Sequence, residues 1–255
     1  MTVRSHEDHV ATQFGPQAAA YVASAVHAAG ADLDLLGERL RSMPGAAVLD
    51  LGCGGGHVAF AAAAAGARVT AYDLSHEMLA AVSAEAARRG LSDIVTRQGA
   101  AESLPFPEAC FDAVVTRYSA HHWRDVPAAL REARRVLRPG GLLLVCDIVA
   151  PEEPLLDTHL QAVELLRDPS HVRDYRVSEW RAMFAGVGLS CEAGVVSRPR
   201  MEFASWIARI RTPAAHVAAI RALQASAPAE VVRHFAIEAD GSFLIDSAVI
   251  EARTA

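Results

Sequence analysis

Val48-Leu49-Asp50-Leu51-Gly52-Cys53-Gly54-Gly55-Gly56 reads as a short apolar strand running straight into a glycine-rich turn. A helix pattern follows from His57 through an alanine run to Gly66, and a second strand, Arg68 to Tyr72, ends on Asp73. Strand, glycines, helix and strand in this order form the first half of a nucleotide-binding β-α-β unit. The glycines let the backbone approach a ligand closely, and the free N–H groups at the helix start favour a negative charge there. Asp73 stands where a carboxylate can accept hydrogen bonds from two ribose hydroxyls.

Two ligand classes use this layout. The dinucleotide fingerprint G-x-G-x-x-G, counted from Gly52, requires glycine at position 57, and the chain has His57 there. What it carries is Asp50-x-Gly52-x-Gly54-x-Gly56, which resembles the first motif of the class I S-adenosylmethionine-dependent methyltransferases. A nicotinamide-dependent (NAD(P)) oxidoreductase on the same half-fold stays open as an alternative. So does a catalytically silent cofactor-binding protein.

The chain has 255 residues, enough for one large domain or a domain with a lid. It is 52% hydrophobic and 21% charged, the composition of a globular protein with an ample core. Its net charge is -6, and all 24 basic residues are arginine. A negative chain without a basic run argues against nucleic acid as a partner. The cysteines at 53, 110, 146 and 191 are scattered and lack metal-ligand spacing, so no metal is expected and a reducing compartment suits them. The N-terminal ten residues hold charges and no apolar signal core, and the apolar runs near 58–65 and 142–150 are too short to span a bilayer. A cytoplasmic protein without a membrane partner is expected.

Ahead of the first strand, a helix is expected over about Ala11 to Ala29 and a second over roughly Leu33 to Met43, ending at Pro44-Gly45. Phe14 and Tyr21 on the first helix either cover the ligand mouth or only pack on the sheet. Beyond Asp73, Ser75 is a good N-cap for a helix that runs to Gly90, a natural C′ glycine. In the resembling family the residues at Leu74 and Met78 flank the adenine; core packing is the other reading of Met78.

The third strand, Ile94 to Gln98, leads into Gly99-Ala100-Ala101-Glu102-Ser103-Leu104-Pro105-Phe106. This is similar to the G-D-A-E-x-L-P-F stretch of ubiquinone/menaquinone-type C-methyltransferases, whose D and A recognise the adenine edge. Ala100 replaces the usual Asp, which removes one acceptor and leaves the backbone around Ala101 to read the ring. The fourth strand, Phe111 to Thr116, is nearly all apolar, as a strand covered on both faces should be. It empties into Arg117-Tyr118-Ser119-Ala120-His121-His122-Trp123. Asp125-Val126-Pro127 then opens a helix to Leu137, and Arg138-Pro139-Gly140-Gly141 turns it into a fifth strand, Leu142 to Cys146, ending on Asp147. The L-R-P-G-G turn after a helix is a further mark of the resembling methyltransferases, so the resemblance covers residues 44–150.

Ligands of an open parallel sheet bind outside the carboxyl ends of its strands, which places Asp50, Asp73, the 99–102 loop, the 117–122 loop and Asp147 on one rim. By the resemblance, Gly52, Cys53, Gly54 and Gly56 approach the methionine and ribose part of S-adenosylmethionine. Asp73 takes the ribose hydroxyls, Ala100, Ala101 and Glu102 lie by the adenine, and the Arg117 backbone meets the methionine amino group. Sugar O-methyltransferases similar to this family have catalytic residues at positions matching His121, His122 and Asp147. The same His-His-Trp string occurs in relatives with other substrates, where it shapes the loop.

Past residue 150 the motifs end. Pro151 to Arg167 reads as an amphipathic helix, followed by a polar stretch in which His171 and Arg173 are candidate substrate contacts and by a helix capped by Ser178. A sixth strand, Ser190 to Ser197, precedes three short helices, and a seventh strand, Ser242 to Glu251, follows the hairpin-like Asp240-Gly241. Arg198, Arg200, Arg209 and Arg211 form either an anion site or a solvated face. The expectation is therefore a single α/β domain over 1–255, Rossmann-like, with a seven-stranded, mostly parallel sheet, an antiparallel last strand and helices on both faces. Residues 1–43 form an N-terminal helical lid, 44–150 the cofactor-binding core, and 151–188 and 198–235 substrate or lid insertions, the second of them also a candidate homodimer surface. The expected activity is methyl transfer to a small molecule, with O-, N- and C-methylation unresolved.

Overall fold

The computed structural model describes residues 5–22, 30–192 and 194–254. Its central strands are β1 (Ala47–Leu51), β2 (Arg68–Asp73), β3 (Ile94–Gln98), β4 (Phe111–Arg117) and β5 (Leu137–Ala150), parallel to one another in the order β3-β2-β1-β4-β5. The order reverses between β1 and β4, and a crevice opens beyond their carboxyl ends at such a point. Alternate residues explain why both faces are covered. Leu49, Leu51, Leu143 and Val145 enter one core, with Trp123, Leu130, Trp180 and Phe184, while Val48, Leu142, Leu144 and Cys146 enter the other, with Val58, Phe60, Val69 and Val82.

The helices on these faces follow their local signals. α4 (His57–Ala64) starts at Gly56, and α5 (His76–Arg89) is capped by Ser75, whose Oγ accepts from Met78 N at 3.2 Å, and closed by Gly90. α6 (Val126–Val136) is capped by Asp125, whose Oδ1 accepts from Ala128 N at 2.8 Å.

The N-terminal segment departs from one long helix. α1 (His6–Phe14) begins earlier because Ser5 and Asp8 form a reciprocal capping box, and Gly15-Pro16 then breaks it into a 3₁₀ turn before α2 (Ala18–Val22). Residues 23–29 of the expected helix lie outside the described residues. α3 (Ala31–Arg41) leads into β1.

The sheet has nine strands where seven were expected. After α7 (Pro154–Arg167), the short β6 (Tyr175–Arg176) adds to the end of β5 in parallel. α8 (Val177–Gly186) follows directly; its first turn is closed by Glu179, which accepts from Arg176 N at 2.9 Å, while Ser178 bonds Glu152 at 2.7 Å instead of capping. The expected sixth strand is two pieces, β7 (Leu189–Cys191) and β8 (Val195–Ser197), on either side of Gly194. Both pair antiparallel with the last strand, β11 (Ser247–Thr254), which pairs antiparallel with β5. The last strand starts later than expected because Phe243–Leu244 (β10) leaves the sheet to pair with Arg200–Met201 (β9). α7 joins α9 (Phe203–Arg209), α10 (Ala214–Ala225) and α11 (Ala229–Phe235) in a third core built on Leu156, Leu160, Trp206, Ile220, Phe235 and Phe243. This helical cap stands over the carboxyl ends of the strands. No described helix is long and apolar enough to cross a membrane.

Candidate active site

A cavity of about 770 Å³ opens beyond β1, β2, β4 and β5 and is closed from the other side by the N-terminal segment and the helical cap. β1 enters it through Gly52, whose φ of +73° and close approach to the Ser119 side chain leave no room for a Cβ. The glycine turn is tied to the end of β2, since Gly54 N donates to Asp73 Oδ2 at 2.8 Å while Ser75 N donates to Asp73 Oδ1 at 2.9 Å. Burial raises the Asp73 pKa above the usual carboxylate range, against the pull of these two amides. A half-buried carboxylate on the cavity wall with acceptor capacity left over suits a diol donor.

Of the expected cofactor residues, Phe14, Tyr21, Asp50, Gly52, Cys53, Gly54, Asp73, Leu74, Met78, Ala101, Glu102 and Arg117 all line this cavity. Gly56 and Ala100 stand behind it: Gly56 faces Val82 and Phe60, and the Ala100 carbonyl accepts from the Tyr72 hydroxyl at 3.2 Å. Asp50 does structural work as well, its Oδ2 accepting from Ala59 N at 2.9 Å inside α4; burial lifts its pKa to about 7. Glu102 braces the 124–125 backbone, accepting from Arg124 N at 3.0 Å.

Beyond β4 the chain turns sharply, with Tyr118 held at φ +52°, an uncommon conformation for a bulky residue. The Arg117 side chain runs to the N-terminal region, where it pairs with Asp32 of α3 at 2.6 Å. The next residues form a 3₁₀ turn, Ala120–His122, that aims both histidines at the cavity. His121 Nδ1 donates to Asp147 Oδ1 at 2.6 Å, and its backbone N–H donates to Asp147 Oδ2 at 3.2 Å. Asp147 is only 2% exposed and stands behind His121, outside the cavity lining. Burial resists charge on His121, yet the Asp147 carboxylate overrides it and lifts the pKa to about 9. His122 goes the other way: burial, then the neighbouring His121 charge, lowers it to about 4. Its Nδ1 donates to the Ser170 carbonyl at 3.1 Å and its ring packs edge-on against Phe14.

His171 also lines the cavity, bonded to Gln161 Oε1 at 3.0 Å, and Arg209 does so from α9. Arg173 lies outside the lining, paired with Asp157 at 3.0 Å, and Arg211 is outside it too. Arg198 and Arg200 reach the rim but are bound to Asp246 and Glu238, each at 2.6 Å. The four arginines therefore do not form one anion site.

Sequence reasoning missed Asp32, His57, Glu164, Arg167, Asp168 and Asp174 on the wall. For Glu164 a signal existed: it stands four residues after Leu160, on the apolar stripe of α7. His57, in the slot of the missing third glycine, donates from Nε2 to the Tyr21 carbonyl at 2.9 Å, and His6 Nε2 donates to the His122 carbonyl at 2.8 Å. These two bonds fasten the N-terminal segment across the cavity.

Residues 49–145 match the family described as "Methyltransferase domain". The chain is 39% identical over 203 residues to the uncharacterised methyltransferase YcgJ of Bacillus subtilis, covering 80% of each chain. The crystal structure of YcgJ superposes with a TM-score of 0.84 at 35% identity, over 88% of this chain and 97% of that one. The chain belongs to the class I S-adenosylmethionine-dependent methyltransferases. The uncharacterised protein YafE of Escherichia coli K12 is 48% identical over 200 residues, 78% of this chain and 97% of that protein. A UbiE ubiquinone/menaquinone biosynthesis C-methyltransferase of Rhizobium leguminosarum is 37% identical over 136 residues, 52% of this chain and 53% of that protein. The methyltransferase reading of the Asp50-to-Gly56 turn thus holds, and nothing in these likenesses favours an oxidoreductase.

Proposed function

We propose that this methyltransferase acts on a small molecule whose O–H, N–H or acidic C–H group gives up its proton to His121. The cofactor half of the cavity fits S-adenosylmethionine: Asp73 for the ribose hydroxyls, Gly52 and Gly54 against the methionine part, Leu74 and Met78 beside the adenine, Ala101 and Glu102 at its edge. The Arg117 backbone serves the amino group, while its side chain holds α3 in place. Once bound, S-adenosylmethionine supplies an electrophilic methyl group, so the chain's own task is to align the acceptor, remove a proton and keep water out. The segment carrying Phe14 and Tyr21 acts as the cover over this half.

The observation that carries the proton-transfer role is the 2.6 Å bond from His121 Nδ1 to Asp147. With Nδ1–H committed to Asp147, neutral His121 is left with Nε2 as a proton acceptor, and Asp147 acts as a positioning residue that also stabilises the imidazolium. His122 is expected to shape the wall through Ser170 and Phe14. The test is calorimetric titration with S-adenosylhomocysteine, together with methyl transfer from labelled S-adenosylmethionine into a metabolite extract. His121→Asn should keep the affinity for S-adenosylhomocysteine and lose transfer. Transfer at the wild-type rate would remove His121 from the chemistry.

A further inference from the structure

The helical cap gives the cavity a wall of its own, with Arg167 from α7 and Trp206, Arg209 and Ile210 at the end of α9. Six arginines line the cavity, and five of them have partners. Arg117 pairs with Asp32, Arg124 with Glu7, Arg198 with Asp246, and Arg200 with Glu238. Arg167 stands 3.5 Å from Glu164, and its guanidinium lies over the Trp206 ring at 4.8 Å. The Arg209 side chain has no hydrogen bond or ion pair among the described residues.

Three carboxylates near this wall, Glu164, Asp168 and Glu202, have partners other than Arg209. Glu164 faces Arg167, and burial holds its pKa above the usual range. Asp168 accepts from Ser170 N at 2.8 Å and from Ser170 Oγ at 2.6 Å. Glu202 caps α9, accepting from Ala204 N at 3.1 Å and Ser205 N at 2.7 Å. Burial, then the charge of Arg167, makes the cationic form of Arg209 costly, which is the state of a guanidinium that lacks its anion. His121, Glu164 and Arg209 all line this one cavity. The cavity lining also includes apolar side chains, among them Val10, Phe14, Trp206 and Ile210, the last two beside Arg209 on the same stretch of chain.

We propose that Arg209 anchors an anionic group of the methyl acceptor, which makes the acceptor a small organic acid or phosphate ester with an apolar body. This rests on the methyltransferase reading of the cavity and assigns the acceptor class. A planar guanidinium takes a carboxylate or a phosphate through two parallel hydrogen bonds, and the apolar wall takes the rest of the molecule.

The test uses the full chain saturated with S-adenosylhomocysteine and three probes of one shape: benzoate, phenyl phosphate and neutral benzamide. Calorimetry should show benzoate or phenyl phosphate binding at least about tenfold tighter than benzamide. The arm that binds better tells carboxylate from phosphate. Arg209→Gln should abolish that preference and leave the S-adenosylhomocysteine affinity unchanged, while Arg253→Gln, at the surface pair with Glu192, should change neither. Equal binding of benzamide and the anions, or an anion preference that survives in Arg209→Gln, overturns the proposal while the cofactor site stands. Failure of the wild-type protein to bind S-adenosylhomocysteine overturns both readings together.

Discussion

His121 Nδ1 and Asp147 Oδ1 meet at 2.6 Å, the histidine on the cavity wall and the carboxylate buried behind it. Because the carboxylate outweighs burial and lifts His121 to about 9, the imidazole is charged at neutral pH. A base must be neutral to accept a proton, so kcat/KM should climb about tenfold per pH unit from pH 6 and level off near pH 9. A plateau already reached at pH 7 would show that His121 is not the base. Asp147→Asn removes the opposing charge, burial then dominates, and the rising limb should move below the ordinary histidine value of about 6.5 as the plateau rate falls. Stability carries the same sign: the folded-state pKa is raised, so the pair's contribution is complete below about pH 6.5 and is lost as pH rises through about 9.

Asp73 receives two backbone amides and faces the cavity, so its removal acts twice. Asp73→Ala deletes the proposed ribose acceptor and frees the Gly54 and Ser75 amides. Hydrogen bonds to charged groups are worth about 1.5–3 kcal/mol, so S-adenosylhomocysteine should bind about 10- to 100-fold more weakly in calorimetry. Circular dichroism should be unchanged, and an unchanged affinity would move the ribose site elsewhere.

The sequence is most legible where local signals and chain order coincide. Strand, glycine turn and helix are consecutive from Val48 to Ala64, so position along the chain already implied position in space, and the rim from Asp50 to His122 came out on one cavity, with Ala100 and Asp147 just behind its lining. Beyond Asp147 contacts depend on packing between distant elements. Nothing local tells that Phe243 pairs with Met201, or that Tyr175 extends the edge of β5. The same limit hid Asp32, whose carboxylate meets the Arg117 side chain across a separation of 85 residues. It also made four arginines look alike when surface partners hold Arg198 and Arg200 and the cavity holds Arg209.

The Asp32–Arg117 pair lies inside, with side chains 13% and 8% exposed, and it joins α3 to the end of β4. Asp32→Ala leaves the Arg117 guanidinium in a low-dielectric site without this carboxylate, and removing one partner of a fully buried pair costs about 3–5 kcal/mol. Cavity solvent reduces that, so a loss of roughly 2–3 kcal/mol is expected in urea unfolding. Asp32→Ala with Arg117→Met removes both charges and should recover most of it. If the double variant is no more stable than the single one, the pair is not what holds α3.

Gly55 tests the cover. A Cβ built there stands 2.9 Å from both the carbonyl carbon and oxygen of Tyr21 and 3.1 Å from Val22 N, all rigid backbone. Gly55→Ala must therefore push α2 away from the glycine turn. The His57 bond to the Tyr21 carbonyl, at 2.9 Å, would stretch with it, because both contacts fix the same peptide. If α1 and α2 cover the cofactor, S-adenosylhomocysteine should leave faster, the segment should be cut sooner by protease in its presence, and the unfolding midpoint of the sheet should barely move. Unchanged cofactor release beside a faster cut would mean that the segment packs over the cavity without gating it, and Phe14 and Tyr21 would then be packing residues alone.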